Sequence, residues 1–278
     1  MNTQTINPLM QFSKKPARYI KIPSQGQGYS NLKLTDSGEI AVYPMTAKDE
    51  LMLKSPDALL NGEAVISVLR NCVPDVPNPR EIQIIDIDSL MVAVRMATYG
   101  DNMDMVATCP HDKHENNVQL NLPSLLDQQT YWTGLTEIET SDKIVVKMKP
   151  YTVTDQNKTS LVSFEQMTVL SQLDRQEADT QTKLKTANST FSQLIDVTLE
   201  LMTNSIVSAT TPDGQEITDM VFIKQWVSGL TKADYDLIDN ALKDLIKIGL
   251  PKSMNIKCDN CGEIFEAPIN FNPSDFFE

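Results

Sequence analysis

The sequence predicts an α+β protein, mainly helical: an N-terminal arm and helices, a split β element made from two distant halves, and a helical insert carrying a small β-hairpin. Three observations predict it. From Thr154 to Asn204 there is neither glycine nor proline, and apolar residues recur at helical spacing. Short apolar runs bounded by turn residues flank that segment on both sides. Two cysteine-centred segments, beginning at Cys109 and Cys258, share one strand–turn–strand plan.

Residues 1–45 read as an arm with short strands. Lys14, Lys15, Arg18 and Lys21 gather there in an otherwise acidic chain, Gly26 to Ser30 is turn material, and Glu39 to Tyr43 alternates as a strand does. The basic cluster is either a solvated tail or an arm lying on an acidic neighbouring subunit.

Residues 46–100 form a helical region. Thr46 caps its first helix, with Asp49 and Glu50 in the favourable first turn. Leu51, Leu53, Leu59 and Leu60 supply apolar contacts, and Gly62 interrupts or ends the segment. Ala64, Val65, Val68 and Leu69 continue on a second helical face, and Cys72 reads as a small buried hydrophobe. Pro74, Pro77 and Pro79 make an irregular link. Asp86 and Asp88 then open a core helix through Val92, Val94 and Met96 that Gly100 stops.

Residues 126–251 form the mainly helical insert. Ile144 to Met148 reads as a strand closed by Pro150. Leu161, Phe164, Met167, Leu170 and Leu173 mark one apolar helical face; Phe191, Leu194, Ile195, Val197, Leu199 and Leu201 mark another. The polar stretch between them is either a loop or a helix reaching into solvent. Pro212-Asp213-Gly214 turns a hairpin between Ile206–Ala209 and Glu216-Ile217. A helix follows from Thr218 or Asp219. Thr231 with Asp234 resembles a capping box opening the last helix, whose inner face is Ile238, Leu242, Leu245 and Ile246, and which Gly249 and Pro251 stop.

Residues 101–125 and 252–272 make the split element. With Cys109 aligned on Cys258, Leu120 matches Ile269, Asn121 matches Asn270, Leu122 matches Phe271, and Asp112 stands where Cys261 stands. Two such knuckles facing each other make a zinc-ribbon-like unit, in which one structural zinc ion replaces the core that four short strands lack. Cys109, Cys258 and Cys261 are three ligands. The fourth is His114, favoured because imidazole suits zinc, with His111 and then Asp112 as alternatives. Both histidines of the chain lie in this one turn. The competing reading is that the hairpins pack without an ion. A redox dithiol is disfavoured because the Cys258–Cys261 pair opens no helix. Four protein ligands leave no position for water, so the site reads as structural.

Composition narrows the function. With 24 Lys and Arg against 37 Asp and Glu, the net charge is −13, which disfavours nucleic-acid binding. No apolar run approaches the ~20 residues needed for membrane insertion. Met1 to Pro16 lacks the continuous apolar stretch of a secretory signal. No nucleophile elbow, phosphate loop or open metal site is present, so the chain reads as a non-enzyme. At residues 273–278, Phe276 and Phe277 form an aromatic tail that either anchors a partner or folds back on its own ribbon.

The chain resembles the baseplate hub and hub-assembly proteins of T-even-type contractile-tailed bacteriophages. The resemblance rests on Tyr43 to Leu51, Leu59 to Ala64, Cys72-Val73, Cys258 to Gly262 and Asn272 to Phe277, taken in that order. It implies a structural, non-enzymatic subunit of the tail baseplate, or an assembly chaperone absent from the finished virion. Such a protein acts by binding other phage tail and baseplate proteins within a symmetric multi-subunit assembly, and meets them in the host cytoplasm. The family pattern carries a cysteine pair in the first knuckle, where this chain has Asp112.

Overall fold

A computed structural model describes residues 15–54, 62–175, 180–272 and 276–277. Lys14, Leu59 and Leu60 lie outside the described residues.

The N-terminal part is organised around one buried helix. Strands β1 (Arg18–Ile20) and β2 (Ile40–Val42) pair antiparallel beside it, Ile20 opposite Ile40. Helix α1 (Ala47–Leu53) begins with a full capping box: Asp49 N–H bonds Thr46 Oγ1, and Thr46 N–H bonds Asp49 Oδ2 at 2.8 Å. Asp49 is itself buried, its other oxygen accepting from Asn71 at 2.6 Å. Of the leucines expected to pack from α1, Leu53 is buried but Leu51 is exposed. Helix α2 (Glu63–Cys72) starts at Gly62, so that glycine opens the second helix. Cys72 is fully buried.

Helix α3 (Ile84–Tyr99) is capped by Gly100 and presents buried residues on every side, including Leu90, Val92 and Val94. A helix apolar all round belongs in a core. Its first turn also buries Asp86, whose Oδ1 accepts from Ser24 N–H at 2.7 Å and whose Oδ2 accepts from Tyr29 O–H at 2.6 Å. The turn-rich segment before Ser30 is thereby fastened to the helix.

Strands β3 (Asn102–Thr108) and β4 (Glu115–Asn121) form a hairpin, and the short helix α4 (Leu122–Leu126) follows. Strands β9 (Ser253–Lys257) and β10 (Ile264–Pro268) form the matching second hairpin. Between them lies the insert. Its centre is a four-stranded antiparallel sheet in the order β5 (Thr136–Glu139), β6 (Val145–Met148), β7 (Ile206–Thr210) and β8 (Glu216–Ile217). The anticipated strand and hairpin are thus neighbours in one sheet.

Two antiparallel helices, α5 (Val153–Arg175) and α6 (Thr180–Ser205), connect β6 to β7. Helices α7 (Met220–Ser228) and α8 (Lys232–Leu245) complete the unit, capped by Asp219 and Thr231. Val146, Met148, Met202, Ile223, Ile238 and Leu242 form its core. The polar stretch between the two expected apolar faces is helical at both ends; residues 176–179 are not described. Of the two apolar faces, Leu161, Phe164, Met167, Phe191 and Ile195 are exposed, whereas Val197 is buried. Periodicity identifies a face but not which way it turns.

Candidate metal centre

The two hairpins end in the same turn. After β3, Lys113 N–H bonds Cys109 C=O at 3.0 Å and Cys109 N–H bonds His114 C=O at 2.8 Å. After β9, Gly262 N–H bonds Cys258 C=O at 3.0 Å and Cys258 N–H bonds Glu263 C=O at 2.9 Å. The fifth residue of each loop is left-handed, Lys113 at φ 64° and Gly262 at φ 76°. Glycine takes that conformation freely, while Lys113 holds it at a steric cost. One loop is a backbone copy of the other, and Asp112 occupies the station of Cys261.

The copies face each other. Ligand atoms of Cys109, Asp112, Cys258 and Cys261 all lie within 4.8 Å of one another. Cys109 Sγ is 3.8 Å from Cys261 Sγ, and Cys258 Sγ is 3.7 Å from both carboxylate oxygens of Asp112. No disulfide joins Cys109, Cys258 and Cys261. The spacing suits a tetrahedral ion. With Zn–S near 2.3 Å and Zn–O near 2.1 Å, tetrahedral edges are about 3.8 Å between two sulfurs and about 3.6 Å between sulfur and oxygen. Three thiolates and one carboxylate also match zinc's preference for sulfur with a borderline-hard fourth donor.

Neighbouring groups hold the cluster in shape. Asp112 accepts from Asn260 Nδ2 at 2.8 Å and from His114 N–H at 3.0 Å. These bonds, the Asn260 contact first, hold its carboxyl well below the usual carboxylate range. Burial opposes ionisation of Cys258, but the N–H groups of Cys261 and Asn260 and the adjacent thiols outweigh it and lower that thiol. For Cys261 the Glu263 N–H favours the thiolate; desolvation, the two neighbouring thiols and the Asp112 charge win, pushing it up to about 11.

Asn116, which sequence reasoning missed, ties the loops to each other. Its Nδ2 donates to Ala107 C=O and His114 C=O, both at 3.2 Å, and its Oδ1 accepts from Asp259 N–H at 2.8 Å. It is 2% exposed, a polar residue on the inward face of β4. That inward polar position was the signal available. Beneath the cluster, Ala107, Ile256, Phe265 and Ala267 make a small apolar core.

The histidines are placed elsewhere. His111 and His114 are both exposed, and neither ring joins the four-residue group. The physical reason is the loop itself: Asp112, three residues after Cys109, is turned toward the sulfurs, whereas His114 directly precedes the return strand and contributes its backbone. Among the expected contact residues, Lys15 is exposed and Arg18 pairs with Asp101 at 2.6 Å, a half-exposed ion pair. Phe276 is not offered to solvent. It is 1% exposed, with its ring against Phe271, Phe277 and the Arg95 guanidinium, and its carbonyl accepts from Arg95 Nη1. Phe277 is partly buried on the same core.

No helix among the described residues is long and apolar enough to cross a membrane. The four donors, Cys109 and Cys258 buried and Asp112 and Cys261 exposed, face one another across the two turns. The chain belongs to the T4 bacteriophage base plate protein family, whose model matches residues 20–278. Comparison with curated proteins and with solved structures returned no match. The chain is therefore a T4-type phage baseplate protein, a structural component of the virion tail that interacts with other baseplate proteins.

Proposed function

We propose that the protein is a non-enzymatic component of the baseplate hub, working through its surfaces, and that Cys109, Asp112, Cys258 and Cys261 hold one structural zinc ion. The observation that carries the zinc assignment is the pair of superposable loops, with sulfur–sulfur and sulfur–oxygen spacings of 3.8 and 3.7 Å. An ion there closes a chain segment of about 150 residues, the kind of long loop whose closure restricts the unfolded state most. The four donors fill a tetrahedral shell, which suits a clip and leaves no site for a reacting water.

Two measurements test this. Elemental analysis of the folded protein should find one zinc per chain; folded protein free of metal refutes the ion. Mass spectrometry of purified virions should find the chain in the finished tail. Its absence from mature particles, with binding to baseplate precursors in infected cells, would replace the hub subunit by an assembly chaperone.

A further inference from the structure

Helices α5 and α6 carry apolar side chains on both outer faces of their hairpin, and the two faces differ in shape. Three contacts fix the register between the helices: Lys158 with Glu200 at 2.5 Å, Asn204 with Asp155 at 2.7 Å, and Gln166 with Gln193. In that register Phe164 stands level with Ile195. Gln166, Thr190 and Val197 fill the seam between the helices and are buried. At 3.6 residues per turn, Phe164 lies about 160° around α5 from Gln166, and Ile195 about 160° around α6 from Val197. Both therefore point away from the seam, to opposite sides.

On the α5 side the surface is a ridge: Leu161 is 38%, Phe164 51% and Met167 70% exposed. On the α6 side it is a groove of about 300 Å³ walled by Phe191, Leu194, Ile195, Leu199 and, from α8, Tyr235. Phe191 and Ile195 are 54% and 58% exposed there. A ridge and a groove at one height on opposite sides of one hairpin can meet only between two copies, since no chain can bring its own two sides together.

We infer that the α5 ridge of one copy docks into the α6–α8 groove of a second copy, a head-to-tail contact. The area fits an interface of modest strength. At roughly 200 Å² per large apolar side chain, the ridge offers about 300 Å² of apolar surface. With an apolar share near 57%, that implies about 500 Å² buried per partner and about 1,000 Å² in all, the lower bound for a specific contact. A heterologous contact of this kind closes into a ring where the rotation between successive copies closes, and climbs as a filament where it does not. A protein that stayed monomeric could still be a baseplate component, so this reading and the baseplate assignment fail separately.

Sedimentation and light scattering of the full chain test it, from about 1 to 200 μM, the range a contact of this size spans. The wild type should associate with concentration. Phe164→Asp and Phe191→Asp should each weaken association at least about tenfold, with unchanged circular dichroism and melting. An equimolar mixture of the two variants should recover dimers and stop there, since each keeps one intact face. A wild type that is monomeric throughout, variants that associate normally, or a mixture that stays monomeric would each overturn the head-to-tail contact.

Discussion

Stripping the proposed zinc ion from the Cys109–Asp112–Cys258–Cys261 cluster is the perturbation with the largest expected consequence. The clip closes a loop of about 150 residues, for which the chain-entropy relation gives about 5 kcal/mol at most. The realised effect is smaller, because the apolar residues beneath the cluster and Ile269, packed in the N-terminal core, already bridge the same segments. For free zinc at 100 times Kd the linkage term is about 2.7 kcal/mol. In a chain of 278 residues that corresponds to a Tm lower by about 5 °C on chelation. Thermal unfolding with and without a strong chelator reads this directly, and limited proteolysis should show new cuts between the hairpins and the insert. Cys261→Ser should reproduce the loss without chelator. Asp112→Ala should weaken zinc binding about 10- to 100-fold while His114→Ala leaves it unchanged, because only Asp112 sits at the fourth station. Asp112→Cys, which completes a four-thiolate set, should bind zinc at least as tightly as the wild type. Equal melting with and without chelator, or dependence on His114 in place of Asp112, would refute the geometry.

Three further outcomes follow from the core. Burial pushes the Asp86 carboxyl up to about 6, against the bonds from Tyr29 and Ser24. Its folded value exceeds the ordinary 3.8, so folding favours the protonated form; the contribution is complete below pH 3.8 and is lost as pH rises through about 6. Relative to Asp86→Asn, the wild type should lose about 1.4 kcal/mol between pH 5 and pH 8, read by urea titration; parallel pH profiles would sink the assignment. Phe276→Ala should cost about 3–5 kcal/mol, since the ring is enclosed and its loss exposes Arg95. A cost below about 1 kcal/mol would return the aromatic tail to the role of partner anchor. Gly28→Ala should destabilise by about 2–3 kcal/mol, because the added Cβ would stand 2.0 Å from Gln83 Nε2 at φ +83°. Gly38→Ala, at φ +76° with open space around it, should cost about 1 kcal/mol; equal losses would show that backbone strain alone decides.

What was legible in the sequence was local. Thr46 with Asp49, Asp219, and Thr231 with Asp234 announce helix starts because a cap is complete within four residues. The Gly214 turn is legible for the same reason, and the Cys109–Cys258 alignment survives because two copies of one motif can be compared without knowing the fold. The proposed fourth ligand shows where that reasoning stops. The alignment already put Asp112 opposite Cys261, but general ligand preference promoted His114; in the structure it is the Asp112 carboxylate, not the His114 ring, that stands within 4.8 Å of the three sulfurs. Long-range pairings were hidden. Val145 to Met148 pair with Ile206 to Thr210 across the whole α5–α6 hairpin, and the Asp86–Tyr29–Ser24 knot joins residues about 60 positions apart. Neither leaves a periodic trace.

The placement of these parts bears on how such a chain can serve an assembly. The clip lies where the insert leaves and re-enters the N-terminal unit, while the ridge and groove lie along α5 and α6, within the insert. The surface proposed to meet a neighbour is therefore held by elements remote from the ion. Loss of zinc should free the insert to move relative to the N-terminal core but leave the hairpin's own seam, with Gln166, Thr190 and Val197, intact. Pairwise docking of two copies should then survive chelation nearly unchanged, because one contact tolerates any orientation of the rest. Higher association should survive as well, because ridge and groove both lie on the insert and keep their relative angle when the clip is lost. Light scattering on chelated protein reads this: association like that of the untreated protein supports the division of labour, and its loss would mean that the insert does not hold its shape without the clip.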